Sequence, residues 1–239
     1  MLSRIAHLIS TADSHTSPLR TSELFNETWM LRLTLDYLSN IAVDGHPLGF
    51  SPRFNWFSEA LLPSQFLPRK RGDNLSEGWT SADGVVGHFL NPNQTASGEL
   101  RLCDYAKQFV VIESKMFSGL SSRVTNFAGY DQAARTVACM ATVLSRGNIC
   151  PKLIDQLAFY VIAPQSQIDL GVFGVRVTKE SICERVTERT NAYGGLHTCW
   201  YYEWFLPTLD HVNIRLLAWE DVLAQLTDEL KMFYAMCLR

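Results

Sequence analysis

Two charged residues end an apolar run at positions 110–115, which reads VVIESK. Glu113 and Lys115 are two residues apart, so in a β-strand their side chains point to the same face. Burying a carboxylate and an ammonium is costly unless the groups are paired, hydrogen-bonded or bound to a metal. The run therefore predicts that either the strand reaches the surface at Glu113 or the two charges have a chemical role.

A third charged residue, Asp83, lies on a neighbouring predicted strand and belongs to the same candidate site. Asp83 lies in TSADGVVGHFL (80–90), whereas Glu113 and Lys115 lie in AKQFVVIESKMF (106–117). Both segments are typical of strands, and an antiparallel hairpin is the simplest pairing of the two. That pairing brings Asp83 within reach of Glu113. Gly84 follows the aspartate, and its missing side chain predicts a close approach of another backbone or a ligand.

Two carboxylates and an ammonium at one place favour metal-assisted chemistry. Neighbouring carboxylates repel each other unless a cation lies between them, and oxygen ligands favour Mg²⁺, with Mn²⁺ as a substitute. A charged lysine does not bind the metal, but it can orient or deprotonate a metal-bound water or neutralise charge on a phosphate. This combination suits hydrolysis of a phosphodiester bond.

The two segments resemble the signature of the PD-(D/E)xK nuclease superfamily, an aspartate near the start of one core strand and Glu/Asp-x-Lys on the next. SADGVV supplies Asp83 and VVIESKMF supplies Glu113 and Lys115, while Ala82 replaces the usual proline. The resemblance covers about residues 53–165. It implies a restriction-endonuclease-like α/β fold, with an α-β-β-β-α-β core whose mixed sheet is flanked by helices. It also implies a Mg²⁺-dependent nuclease that acts through metal-activated water, and we expect DNA as the substrate.

The resemblance also suggests site residues on predicted helices. Glu59 is a candidate third metal ligand, with a solvated surface glutamate as the equal alternative. Glu77 is a weaker candidate, because it lies in a predicted loop. Gln132 and Arg135 lie three apart and therefore on one helix face. Gln132 is a candidate to hold the water or a phosphate, and Arg135 to bind phosphate through two hydrogen bonds, although both also fit a solvated face. RecB-like nucleases have tyrosine four residues after the glutamine, where this chain has Thr136.

Two surface features are candidates for nucleic-acid contact. Arg69, Lys70 and Arg71 form a basic run in the loop before the aspartate strand. Such a run can clamp phosphates, with a solvated loop as the alternative. The aromatic segment CWYYEWFLP (199–207) can stack on unpaired bases, but core packing or a protein contact is the more common role of such a cluster.

An E-x-K triplet alone has little specificity, because Glu229 and Lys231 repeat it in DELKMF. The second triplet lies in a predicted helix, with no apolar strand before it. We therefore interpret it as accidental.

Periodicity and turn residues predict an α/β order of elements. The predicted helices are 22–40, 53–66, 126–148, 178–193 and 220–238. The predicted strands are 80–90, 106–117, 156–164, 172–177 and one beginning at 211, with 100–105 as an optional extension. No repeat or linker divides the chain. We expect one domain over 1–239, with its core at about 53–165, a helical N-terminal extension at 1–52 and a C-terminal elaboration at 166–239.

Composition limits the class of protein. The chain has 239 residues, 47% of them hydrophobic, and can bury a sizeable core, while its net charge of −3 gives no general affinity for nucleic acid. No segment approaches the ~20 apolar residues of a membrane span, and the N-terminus does not fit a signal peptide, so we expect a cytoplasmic protein without a membrane partner. The six scattered cysteines predict free thiols in a reducing compartment.

The first hypothesis is a Mg²⁺-dependent nuclease in which Asp83 and Glu113 hold metal, Lys115 positions water or stabilises charge, and Gln132 assists. The rival is a catalytically inactive nuclease-fold protein that acts as a nucleic-acid-binding or assembly module. An unrelated α/β protein is the third option. The sequence leaves open whether the substrate is DNA or RNA, its strandedness, the sequence specificity and endo or exo action. It also leaves open the oligomeric state, a homodimer included.

Overall fold

A five-stranded mixed sheet with helices on both faces forms the centre of the protein. The computed structural model describes residues 26–41, 43, 45–50, 54–90, 98–121, 127 and 129–238. The strands lie side by side in chain order as β1 (Asn55–Leu62), β2 (Thr80–Gly87), β3 (Gln108–Ser114), β4 (Gln156–Ala163) and β5 (Asn213–Ala218). β1, β2 and β3 pair antiparallel, whereas β3, β4 and β5 pair parallel. The α/β class predicted from the sequence is confirmed.

The helices of the described residues surround this sheet. They are α1 (Glu27–Asn40), α2 (Gln132–Gly147), α3 (Gln165–Asp169), α4 (Lys179–Ala192), α5 (Thr198–Trp200), α6 (Leu206–His211), α7 (Trp219–Leu223) and α8 (Asp228–Cys237). Short 3₁₀ turns lie at Pro151–Leu153 and Gly174–Val177, and a π-helical turn at Tyr201–Phe205 joins α5 to α6. None of these helices is long and apolar enough to cross a membrane.

Two apolar layers cover the two faces of the sheet. Along β3, Phe109 and Val111 pack in the layer of α2 and α4, whereas Val110 and Ile112 pack in the layer of α1 and α8. Because both faces are covered, all seven residues of β3 are buried, which explains the continuous apolar run in its sequence. Alternation places Glu113 on the α2 side of the sheet.

Helix α2 begins at a defined cap next to the end of β3. The Asp131 carboxylate accepts a hydrogen bond from the Ala134 N–H at 3.0 Å and pairs with Arg185 of α4 at 3.0 Å. At the other end, Asn148 adopts the left-handed conformation, with φ of 50°, and its N–H bonds to the carbonyl groups of the last helical turn. The helix predicted over 126–148 therefore starts at Gln132.

The prediction of a helix over 53–66 is wrong, because this segment contains β1. Backbone pairing with β2 along Asn55–Leu62 determines its structure, and Trp56 and Phe57 favour a strand. The pairing overrides the helical preference of the Glu-Ala-Leu-Leu sequence at 59–62. The α-β-β-β-α-β order is nevertheless present, as α1-β1-β2-β3-α2-β4, and it begins at Glu27 rather than near residue 53.

Three smaller predictions also need correction. Segment 100–105 contributes only an isolated bridge between Phe89 and Leu102. Segment 172–177 ends in a 3₁₀ turn rather than a strand, because Gly174 has a φ of 48° that interrupts an extended chain. The helix predicted over 220–238 is two helices, α7 and α8, separated by residues 224–227. The six cysteines are free thiols, as predicted.

The β2–β3 pairing leaves no room for a side chain at Gly87. A Cβ atom there would lie 2.2 Å from the backbone oxygen of Gln108, which cannot move without disrupting the ladder. We expect Gly87→Ala to lower the free energy of unfolding by about 3 kcal/mol, measured by urea denaturation. Gly78→Ala is the control, because nothing lies within 4 Å of a Cβ atom at that position. Equal losses in the two variants would contradict the close approach.

Candidate active site

The β2–β3 hairpin brings together the three charged residues that the sequence singles out. Asp83 on β2 directly precedes Gly84, which pairs with Ile112, the residue before Glu113 on β3. The Asp83 Oδ2 atom accepts a hydrogen bond from the Ser114 N–H at 2.7 Å and lies 3.4 Å from Lys115 Nζ. The same Nζ atom lies 3.7 Å from Glu113 Oε2. The two carboxylates and the ammonium therefore occupy one site, as strand alternation predicts.

Glu113 is buried, and polar groups satisfy both of its oxygens. Its side chain is 2% exposed; Oε2 accepts a hydrogen bond from Gln132 Nε2 at 2.6 Å, and Oε1 accepts one from the Thr136 hydroxyl at 3.1 Å. Burial above all, and then the negative charge of Asp83, raise the pKa of Glu113 to about 8, whereas Lys115 acts in the opposite direction. This carboxyl group therefore keeps its proton at neutral pH unless a cation compensates its charge.

The backbone of Lys115 is fixed on both sides. Its N–H donates to the Ile162 carbonyl on β4 at 2.8 Å, and its carbonyl accepts a hydrogen bond from Trp219 Nε1 at 3.2 Å. Trp219 is the first residue of α7 and is fully buried. The C-terminal part of the chain thus contributes directly to the position of the lysine.

The close approach predicted at Gly84 involves helix side chains rather than a backbone or a ligand. A Cβ atom at Gly84 would lie 2.9 Å from Leu31 Cδ2 and 3.2 Å from Leu35 Cδ1, both on α1. The absence of a side chain therefore lets α1 pack closely on β2 beside Asp83.

Glu59 lies on β1 at the sheet edge, and its predicted position on a helix is wrong. The β1–β2 register places it across from Asp83, and it is exposed, with a φ of 53° that is uncommon for a residue other than glycine. Partial desolvation of its carboxyl group and the charge of Asp83 raise the pKa of Glu59, while Arg32 and Lys115 act in the opposite direction. Glu59 therefore belongs to the electrostatic environment of the site.

Two carboxylates, rather than three, converge in this site. Across the described residues, no group of three or more His, Cys, Asp or Glu side chains is arranged to hold a metal ion. The Asp83–Glu113 pair nevertheless fits Mg²⁺, which binds through one or two carboxylates and keeps several waters. A cation between the pair would also offset the repulsion that contributes to the raised pKa of Glu113.

The loop before β2 contacts Arg135, the residue predicted to bind phosphate. Arg135 Nη2 donates to the Gly78 carbonyl at 2.7 Å, and its Nε lies 3.5 Å from Glu77 Oε2. Glu77 is buried and accepts a hydrogen bond from the Ser64 hydroxyl; burial raises the pKa of Glu77. The contacts of Arg135 with Gly78 and Glu77 therefore hold the loop against α2, one helical turn from Gln132.

The three basic residues of the loop at 69–71 are not equivalent. Arg69 pairs with Asp73 at 3.0 Å, and its guanidinium lies 4.7 Å from the ring centroid of Tyr193. Lys70 and Arg71 are exposed. The last two side chains are therefore the stronger candidates for contact with a phosphate backbone.

Most of the aromatic segment at 199–207 contributes to the core. Trp200 and Tyr201 are buried, and both rings pack against Phe205. Only Tyr202, among the three consecutive aromatic residues 200–202, is largely exposed, at 64%. Core packing, the role favoured for such a cluster from the sequence, is the one observed.

The repeated E-x-K triplet has a different setting. Glu229 and Lys231 lie exposed on α8, where Lys231 pairs with Asp228 at 3.6 Å. Such an exposed pair contributes little to stability. The setting is that of a solvated helix face, as the sequence indicates.

Two residues of the site were not among those predicted. Thr136 lies four residues after Gln132, so helical spacing could have placed both side chains on Glu113. For Trp219 no local signal exists, because the residue is distant in sequence from the carbonyl that it contacts.

The raised pKa of Glu113 makes the stability of the metal-free protein depend on pH. The folded state binds this proton more tightly than the unfolded state, so the free energy of unfolding falls as the pH rises from 4.5 to about 8. The slope from one group is at most about 1.4 kcal/mol per pH unit. We expect Glu113→Gln to flatten this fall in urea denaturation with EDTA and to exceed the wild-type stability above pH 8.

Glu229→Gln serves as the control, because Glu229 is exposed on α8. It should follow the wild-type pH dependence. A wild-type stability that does not fall over this pH range, or a Glu113→Gln variant that follows the wild-type curve, would contradict the buried, proton-holding carboxyl group.

No protein-family model, no curated protein and no solved structure matches this chain.

Proposed function

We propose that this chain is a Mg²⁺-dependent nuclease that hydrolyses phosphodiester bonds, with DNA as the expected substrate and Mn²⁺ as an alternative ion. The observation that carries the proposal is the position of Lys115 Nζ, 3.4 Å from the Asp83 carboxylate and 3.7 Å from that of Glu113. The order α1-β1-β2-β3-α2-β4 supports a restriction-endonuclease-like fold.

Asp83 and Glu113 are the residues that would hold the metal ion, with Glu59 as a candidate third ligand at the adjacent edge. When bound, the cation supplies Lewis acidity, which lowers the pKa of water and neutralises phosphate charge. Gln132 and Thr136 donate hydrogen bonds to the two oxygens of Glu113 and so keep its carboxylate in one orientation.

Lys115 contributes a positive charge at the reacting phosphate. Its ammonium group is held beside two carboxylates and its backbone is fixed by β4 and α7. It can therefore orient the attacking water or stabilise negative charge that develops on the phosphate oxygens. Preorganised charge of this kind acts mainly on the transition state and less on binding.

A nuclease-fold protein without catalysis, acting as a nucleic-acid-binding or assembly module, is the second candidate. Ion pairs favour its assembly role over nucleic-acid binding, because Arg69 is paired with Asp73 and Arg135 with Glu77, which leaves less positive charge for a polyanion. The net charge of −3 acts in the same direction. Binding without cleavage distinguishes this candidate from a nuclease.

Lys115→Ala separates catalysis from binding. We expect cleavage of DNA with Mg²⁺ or Mn²⁺ to fall by about 10²–10³-fold, because the charge is needed as the transition state forms. Binding of the same DNA with Ca²⁺, measured by fluorescence anisotropy, should change only a few-fold. Lys231→Ala, in the second triplet, should cleave like the wild type. A Lys115→Ala variant with full activity would contradict the role of this residue.

The double variant Lys70→Ala/Arg71→Ala tests the basic loop. If both exposed side chains contact phosphates, the slope of log Kd against log salt on duplex DNA should decrease by about 0.9 per lost contact. Cleavage at saturating DNA should persist, since neither residue lies at the carboxylates. An unchanged salt dependence would show that the loop is only solvated.

A further inference from the structure

A guanidinium group on α1 lies at the β1 edge of the sheet, one strand away from Asp83. Arg32 is half-buried, its Nε donates to the Ser58 hydroxyl at 2.7 Å, and its guanidinium lies 5.4 Å from the ring centroid of Trp29. Ser58 on β1 pairs with Gly84, the residue that follows Asp83. Arg32 is therefore anchored at the sheet edge next to the rung that carries the β2 carboxylate.

Among the residues that the structure describes, no carboxylate pairs with the terminal nitrogen atoms of Arg32. Within the described ranges, no Asp or Glu oxygen lies within 4.0 Å of this side chain. Other arginines of the α2 side are paired with acidic residues: Arg69 with Asp73, Arg135 with Glu77 and Arg185 with Asp131. A phosphate that bound to those groups would have to compete with an ion pair, whereas a phosphate at Arg32 would not.

Glu59 connects Arg32 electrostatically to the carboxylates. It follows Ser58 on β1 and adopts a left-handed backbone conformation, with φ of 53°. Partial burial and the charge of Asp83 raise the pKa of Glu59, whereas Arg32 and Lys115 act in the opposite direction, so all three charges act on the same carboxyl group. A left-handed residue other than glycine is strained, and strained residues cluster at functional sites.

The charges of this cluster fit a phosphodiester. Asp83 and Glu113 contact Lys115, and Glu59 and Arg32 lie at the adjacent β1 edge, so the wider neighbourhood holds three carboxyl groups and two cations. The fully ionised cluster therefore has one excess negative charge. One divalent cation changes this to one excess positive charge, which is equal and opposite to the charge of one phosphodiester group.

We propose that Arg32 binds a backbone phosphate of the substrate next to the scissile one, through its terminal nitrogen atoms. The planar guanidinium fork matches two phosphate oxygens. Ser58 and Trp29 already hold the side chain, so little conformational entropy is lost on binding. This inference rests on the proposed nuclease function and assigns to that site a contact with the nucleic-acid backbone.

Arg32→Gln tests the contact. Binding of a fluorescein-labelled 24-nucleotide DNA, single-stranded and duplex, is measured by anisotropy with Ca²⁺ at several salt concentrations. We expect the Kd to rise about tenfold, as for loss of a charged hydrogen bond, and the log–log salt slope on the duplex to decrease by about 0.9. Arg32→Lys keeps the charge and loses the fork, so its Kd should lie between those of the wild type and Arg32→Gln.

Arg215→Gln is the matched control, because Arg215 is exposed on β5 at the opposite edge of the sheet. It should bind DNA like the wild type. A loss in Arg215→Gln equal to that in Arg32→Gln would show a general charge effect and overturn the assignment.

A purely structural role of Arg32 gives a different result. If Arg32 only fixes α1 on β1, Arg32→Gln and Ser58→Ala lower the Tm but leave the Kd unchanged, which overturns the inference while the nuclease function stands. Should Arg32→Gln not fold, an unchanged Kd in Arg32→Lys overturns it. A wild type that neither binds nor cleaves DNA or RNA with Mg²⁺, Mn²⁺ or Ca²⁺ would refute the proposed function and this inference with it.

Discussion

The burial of the Glu113 carboxyl group is the constraint on which the rest of the site depends. A carboxyl group with 2% exposure is stable only where hydrogen bonds or charges satisfy its oxygens. Gln132 and Thr136 of α2 and the ammonium of Lys115 supply them. The same hydrogen bonds that orient the carboxyl group therefore also fix the first turns of α2 against the end of β3.

The surrounding layers hold this arrangement rigid. Helix α1 packs against Gly84 beside Asp83, and Trp219 of α7 holds the carbonyl of Lys115. Both contacts come from the side of the sheet that faces away from α2. Asp83, whose side chain is 22% exposed, is the more accessible of the two carboxylates. The result is a preorganised group of charges at the end of a buried strand, open to solvent on the side of β2.

The sequence predicts the centre of the site better than its edges. Strand alternation and hairpin pairing are local rules, and they suffice to bring Asp83, Glu113 and Lys115 together. The assignment of 53–66 to a helix failed because an edge strand is determined by its partner rather than by its own helix-favouring residues. Long-range contacts also determine the position of Trp219, so its role could not be predicted from local sequence. The same kind of contact places Glu59 on a strand. Thr136 is the exception, since helical spacing alone could have revealed it.

The central claim is that Asp83 and Glu113 hold one divalent cation. The most direct measurement is anomalous diffraction from a crystal soaked in Mn²⁺ at a pH above 8, where the Glu113 carboxyl group releases its proton most readily. We predict an anomalous peak within about 2.5 Å of an oxygen of each carboxylate, the range of hard-cation bonds, with Lys115 Nζ beside it. The claim would be contradicted by a Mn²⁺ peak elsewhere in the molecule and none between Asp83 and Glu113, with Lys115 still paired to both carboxylates.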